Sequence, residues 1–298
     1  MRPYLHNIVL CVFIQTLLSG CGGPAAPDAA PAADSGPPAD FAAAAAGVRV
    51  SERSDNMGSA YSTSITGSFY TGAPLLPMLY QERLREASCR QLTSEPGFCS
   101  EPCEGFCTGN GLCAPFPTEL SVGPLTVSGL GAPLTIPAMP GIGYSYFADA
   151  RLLTTGETVR VSAPGDALPA LSLQAAAPEP LVVENLAELS LAAGRALTIR
   201  WIRGMDPGAR IWLWLRADRG HAMLSPAVIE CDVADTGSLT IPADWIDWIR
   251  DPDHWSCGDC FESTMARVVR TTATVDGTEL ELRLTSEVGL YLVPWSGL

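Results

Sequence analysis

Eight cysteines carry most of the chemistry that this sequence could perform: Cys89, Cys99, Cys103, Cys107, Cys113, Cys231, Cys257 and Cys260. Two further cysteines, Cys11 and Cys21, lie in an apolar N-terminal stretch and its end. Thiols at such spacings can close disulfides, hold a metal ion or run redox exchange. The run Cys257-Gly258-Asp259-Cys260 has metal-ligand spacing with His254 close by, but a tetrahedral zinc site needs a fourth ligand that the run does not supply. In an oxidising compartment an even set of eight points to disulfides. Five of the eight fall between Cys89 and Cys113, and three between Cys231 and Cys260. Both groups are odd, so complete pairing requires at least one bridge between them.

Other reactive groups are sparse. Asp235-Thr236-Gly237-Ser238 resembles the catalytic loop of aspartic peptidases, where two carboxylates share one proton and two copies of the loop must meet. This chain holds one copy, so the resemblance implies a homodimer with paired Asp235 side chains. The competing expectation is a tight turn between two strands, for which Thr and Gly are suited. Trp212 and Trp214 alternate along one apolar strand with Ile211, Leu213 and Leu215. They are expected either in a core buried on both faces or as an exposed platform on which a sugar ring stacks. Asp244, Asp247, Asp251, Asp253 and Asp259 could offer oxygens to Ca²⁺, but lack the alternating pattern of a calcium loop and read as solvated acids around a helix end. His221 and His254 are the histidines beyond residue 20, and His221 sits in a loop without a nucleophile partner. No Gly-x-Ser-x-Gly elbow and no His-Glu-x-x-His motif occurs, so no catalytic residue is assigned; paired glycosidase carboxylates leave no spacing signature.

The elements that must position these groups are mostly strands. Tyr61 to Tyr70 reads as one strand, and Pro77 to Leu84 as a short helix with Leu79, Tyr80 and Leu84 on one face. Further strands are expected at Leu125–Val127, Thr158–Val161, Ala170–Leu173, Ala196–Trp201, Ile211–Leu215, Ala227–Val233 and Leu239–Ile241. Two more between Ala266 and Leu284 join through Asp276-Gly277, a type I′ hairpin signal, and Glu287–Val293 closes the set. One helix starts at Pro242, carries Asp244 and Asp247 early, groups Trp245, Trp248 and Ile249, and stops at Asp251-Pro252.

The N-terminus fixes where such a fold would live. Ile8 to Leu18 is an apolar run of 11 residues, about 16 Å of helix, which is too short to span a bilayer and right for an export signal. It ends in Leu18-Ser19-Gly20-Cys21, which resembles the lipobox of bacterial lipoproteins. The resemblance implies cleavage before Cys21, lipidation of its sulfur and acylation, palmitate included. Gly22 at the next position implies sorting to the outer membrane. Pro24 to Ala46 has 12 Ala, 5 Pro and 3 Asp among 23 residues, and reads as a tether with little apolar bulk to bury. Acids outnumber bases 32 to 18, and every base is arginine. The net charge of −14 argues against nucleic acid as a partner, and the absence of lysine excludes Schiff-base and phosphate-loop chemistry.

The expected organisation is a signal peptide over 1–20, a Pro/Ala-rich tether over 21–47, an N-terminal segment over 48–86, a Cys-rich module over 87–118 and a β-sandwich over 119–298. Within the module, Cys103 to Cys113 faintly resembles EGF-like modules, but the module from Cys89 to Cys113 has five cysteines where an EGF module has six. The layout, with Cys113-Ala114-Pro115-Phe116-Pro117 followed by Val122-Gly123-Pro124-Leu125, also resembles uncharacterised lipoproteins of GC-rich Gram-negative bacteria. The expected fold class is mainly β: an antiparallel β-sandwich with a small disulfide-rich module and one short helix. The expected role is non-catalytic, structural or in binding an envelope glycan or surface protein, without cofactor or metal. The alternative is an envelope hydrolase.

Overall fold

A computed structural model describes residues 46–54, 61–71, 79–94, 99, 101–108, 111–141, 143–217, 225–255 and 263–292. Cys21 with the segment before it that resembles a lipobox, His221, Cys257, Asp259 and Cys260 lie outside the described residues. The strands in chain order are β1 (Ala46–Ser54), β2 (Tyr61–Thr71), β3 (Gln81–Glu86), β4 (Cys89–Thr93), β5 (Phe106–Cys107) and β6 (Cys113–Ala114). Next come β7 (Thr118–Glu119), β8 (Leu125–Ser128), β9 (Leu134–Ile136), β10 (Tyr144–Ala148), β11 (Thr158–Ala163) and β12 (Leu171–Ala176). The last six are β13 (Leu197–Arg200), β14 (Arg210–Arg216), β15 (Ala227–Ala234), β16 (Ser238–Ile241), β17 (Ser263–Val275) and β18 (Thr278–Leu290). The α-helix α1 spans Ala243–Ile249. No described helix is long and apolar enough to cross a membrane.

The chain is mainly β, and its sandwich is doubled. One large sheet runs β10-β2-β1-β18-β17-β14-β15-β4-β3, with β7 added on β2. Its neighbours are antiparallel except β1, which lies parallel on β18. The β17–β18 hairpin makes the doubling possible. Asp276 and Gly277 both take positive φ, 49° and 76°, as a type I′ turn demands, so the two arms continue in register for 13 residues each. At ~3.3 Å per residue such a strand is roughly 40 Å long, enough to underlie two cores.

Alternation along β18 shows how the two cores share that strand. Leu280, Leu282 and Leu284 point into a first core, against the four-stranded sheet β12-β11-β8-β9 and with Val48, Val50, Ile65, Val127, Val159 and Val161. Val288 and Leu290 point into a second core, with Ile211, Leu213, Leu215 and Ile229 from the same sheet. Its opposite side is closed by β13 and β16 (Ile199, Ile241) and by Trp245, Ile246 and Ile249 of α1. Ser286 lies between the two apolar sets. Each residue fully buried in this way is worth about 1.5–3 kcal/mol relative to exposure.

Three expectations change. The segment ending at Leu84 is not helical there: β3 forms an edge strand on β4, turning back through Ala87 at φ 46°, and Leu84 remains exposed. The backbone hydrogen bonds offered by β4 outweigh a three-residue apolar spacing. Glu287 opens no separate strand, because β18 runs unbroken to Leu290. Residues 48–86 supply β1 and β2 to the middle of the large sheet, alongside strands from beyond residue 119. The period-2 signal of β1, Val48 and Val50 inward against Arg49 and Ser51, lies before the strand expected from Tyr61.

Among the described residues, three disulfides are closed. Cys99–Cys107 and Cys103–Cys113 staple the small module, and Cys89–Cys231 ties the neighbouring strands β4 and β15 of the large sheet. Cys89 and Cys231 face each other directly in the β4–β15 register, with Cα atoms 4.1 Å apart. Replacing both Cys89 and Cys231 by Ala should therefore lower unfolding free energy by about 5 kcal/mol, the chain-entropy value for so long a loop. Urea unfolding of the two proteins checks it, and a non-reducing peptide map that pairs Cys89 elsewhere would refute the connectivity.

Candidate functional site

Trp212 and Trp214 are the candidate ligand face. Ile211, Leu213 and Leu215 of β14 are fully buried in the second core, which turns Trp212 and Trp214 to the outer face of the large sheet. Neither expectation describes them fully, since both are half-buried. Their rings stack on one another, centroids 5.7 Å apart and 26° from parallel. Trp214 also receives Tyr80 edge-on at 5.7 Å. Trp212 carries the Arg49 guanidinium 5.8 Å from its ring centroid, reaching it from the Ser51–Thr285 side, away from Trp214. The indole N–H of Trp212 donates to Glu230 Oε1 at 2.9 Å. The order Arg49–Trp212–Trp214–Tyr80 is a ladder whose inner ring faces are filled by the chain itself. A sugar platform requires an open π face.

The charges around the ladder are likewise paired. Arg49 bonds Glu287 Oε1 at 2.6 Å, and the Thr285 hydroxyl donates to the same oxygen at 2.7 Å. Burial would raise the Glu287 pKa, but the Arg49 charge and the hydrogen bonds from Thr285, Arg49 and Ser51 outweigh it, and the carboxyl is held below its ordinary range. Glu230 Oε2 accepts from Arg90 at 2.7 Å. Asp232 is buried and bridges Arg210 and Arg270, at 2.5 Å from the latter.

Asp235, the candidate peptidase carboxylate, has a different occupation. Its Oδ1 accepts the indole N–H of Trp201 at 2.6 Å. Its Oδ2 accepts the Gly204 N–H at 3.0 Å and Arg267 Nε at 2.7 Å. Both charged side chains are almost wholly buried, at 3% and 2% exposure. Arg267 stands beside Ser286 where the two cores meet, and its other nitrogens donate to the carbonyls of Glu179, Pro180 and Ile202. It thus clamps the segment leading out of the first core, the strand end after Trp201 and the turn after β15. Gly204 is required there, since a Cβ would sit 2.9 Å from Asp235 Oδ2 and 3.0 Å from Arg267 Nε. A carboxylate so engaged cannot share a proton with a twin. The Asp-Thr-Gly-Ser segment is the turn between β15 and β16, with Gly237 at φ 98°.

His254, Asp247 and Asp251 also have structural partners. His254 Nδ1 lies 3.1 Å from the Trp248 carbonyl and its ring meets Trp248 edge-on. Asp247 accepts the Gly194 N–H at 2.8 Å, and Asp251 caps a short 3-10 turn through Asp253 N at 2.9 Å. Among the described residues, the one convergent set of potential metal-ligand atoms is Cys99, Cys103 and Cys107, and all three sulfurs belong to disulfides. Sequence reasoning did not find Arg49, Tyr80, Glu287 or Arg267. Alternation would have turned Arg49 outward and Arg267 inward, but not which partners they meet.

No protein-family model matches the sequence, and no curated protein matches it. Among solved structures, the chicken CNTN1 FN1-FN3 domains are similar over 84% of this chain, at 12% identity. The match spans 66% of that chain, with a TM-score of 0.18, at which no structural equivalence follows.

Asp235→Asn should destabilise the fold by about 3–5 kcal/mol, because it leaves the Arg267 guanidinium buried without its counter-charge; chemical denaturation measures it. Glu287→Gln should destabilise the protein at neutral pH. Because the folded-state pKa of Glu287 is depressed, its contribution is present above the unfolded value near 4.5 and is lost as pH falls through the folded one. The stability gap between parent and variant should therefore close on acidification, and a gap that persists unchanged at low pH would contradict this account.

Proposed function

We propose that this chain is a non-catalytic, lipid-anchored protein of the bacterial cell envelope that acts through its surface, as a structural or binding element. The observation that carries the non-catalytic part is the occupation of Asp235. The residue most like a catalytic group is spent on Arg267, Trp201 and Gly204, inside the protein. The envelope part rests on the sequence: the lipobox at Cys21, the short apolar run before it and the tether after it. The three disulfides fit an oxidising compartment.

Of the two ligand classes considered, a surface protein fits the outer face better than a stacked glycan. The ladder offers half-buried Trp and Tyr rings beside Arg49, residue types that are enriched at protein contact surfaces. The rival peptidase reading would need Asp235 to leave its ion pair with Arg267, and nothing in the geometry favours that.

Two measurements test the proposal. Mass spectrometry of the mature N-terminus should find residue 21 bearing a diacylglyceryl thioether, and Cys21→Ala should leave the membrane fraction; an unlipidated N-terminus elsewhere would sink the anchoring. Envelope glycan fragments should leave the tryptophan fluorescence of the parent protein unchanged. Saturable quenching that disappears in Trp212→Ala would restore the sugar-platform alternative.

A further inference from the structure

The three disulfides differ in how open they are to attack. Cys231 is fully buried in the second core, and its partner Cys89 packs against the same cluster. Cys113, in contrast, is exposed, while its partner Cys103 is half-buried. The sulfur of Cys103 accepts a hydrogen bond from the Gly105 N–H at 3.4 Å. A donor aimed at a sulfur favours its thiolate, and a more stable thiolate is a faster leaving group in disulfide exchange. The Cys103 sulfur also lies within 4.8 Å of both sulfurs of the neighbouring Cys99–Cys107 bridge.

These facts together define an ordered reaction. We propose that Cys113 is a site of mixed-disulfide formation with an external thiol, and that Cys103 relays the exchange to the second bridge. In the first step an incoming thiolate attacks the Cys113 sulfur. A new bond forms between them, the Cys103–Cys113 bond breaks, and its electron pair leaves on Cys103, beside the Gly105 N–H. In the second step the Cys103 thiolate attacks Cys99 or Cys107, forming one new disulfide and releasing the other sulfur as thiolate. The number of disulfide bonds is conserved at each step, so no oxidant or reductant beyond the entering thiol is consumed. The ligand class is a thiol, from a small molecule or from a cysteine of another protein.

Gly105 is not replaceable as a test, because a Cβ there would meet the Ala114 carbonyl oxygen at 1.9 Å. The experiment therefore uses the entering thiol and the cysteines. The intact chain is incubated with reduced glutathione, trapped by alkylation at successive times and mapped by peptide mass. The expected first product carries glutathione on Cys113, at a rate about tenfold or more above opening of Cys89–Cys231. Glutathione appearing first on Cys99, Cys107, Cys89 or Cys231, or equal opening of all three bridges, would overturn the assignment. The relay is read separately in Cys113→Ser, which leaves Cys103 without its partner. That chain should be isolated with Cys103 bonded to Cys99 or Cys107. Recovery of a free Cys103 thiol beside an intact Cys99–Cys107 bridge would overturn the relay.

Discussion

The architecture depends on the ion pair between Arg267 and Asp235. One sheet serves two cores, and at the place where they meet its inner face cannot be simply apolar, because chain segments cross there with their own carbonyls to satisfy. Arg267 answers three of those carbonyls and one carboxylate from a single planar fork. Unpaired, either charge would cost several kcal/mol at that depth. Paired, they register the segment from the first core against the turn that starts β16. Trp201 and Gly204 complete the shell, so four distant parts of the chain hold one position.

The same logic of paired charge extends over the outer face. Every base in this chain is arginine, and most of those described sit against a carboxylate or a ring: Arg49 on Glu287 and Trp212, Arg90 on Glu230, Arg210 and Arg270 on Asp232. Isolated pairs on open surface contribute little. These lie on a sheet where side chains two residues apart are neighbours, and the long arginine stems cover apolar surface between strands. That explains why Ala266 and Thr285, which point outward, are fully buried. It also explains why the tryptophans present ring edges and not open faces.

Disulfides and sheet pairing cooperate in a similar way. Cys89–Cys231 bonds residues already opposite in the β4–β15 register, so it secures a contact the backbone makes. The two module bridges hold a segment with little apolar core of its own, where Leu112 and Phe116 remain exposed. A bridge in such a place is accessible, and its sulfurs have company.

By itself the sequence determined the strand-rich character, the Asp276-Gly277 hairpin, the helix after Pro242 and the need for a bridge between two odd cysteine groups. Each of these is local or arithmetic: alternation, turn chemistry, capping and parity are all readable within a few residues or a count. The proposed anchoring at Cys21 rests on the same local kind of signal. Only the tertiary structure decided that β1 lies parallel on β18, that one hairpin carries two cores, and that Asp235 belongs to Arg267. These outcomes depend on which of many compatible partners meet across long separations, and alternation fixes the face a side chain takes but not its neighbour. Trp212 shows the limit best. Its outward direction follows from its position between Ile211 and Leu213, whereas the filling of its faces follows from Arg49 on a strand more than 160 residues earlier.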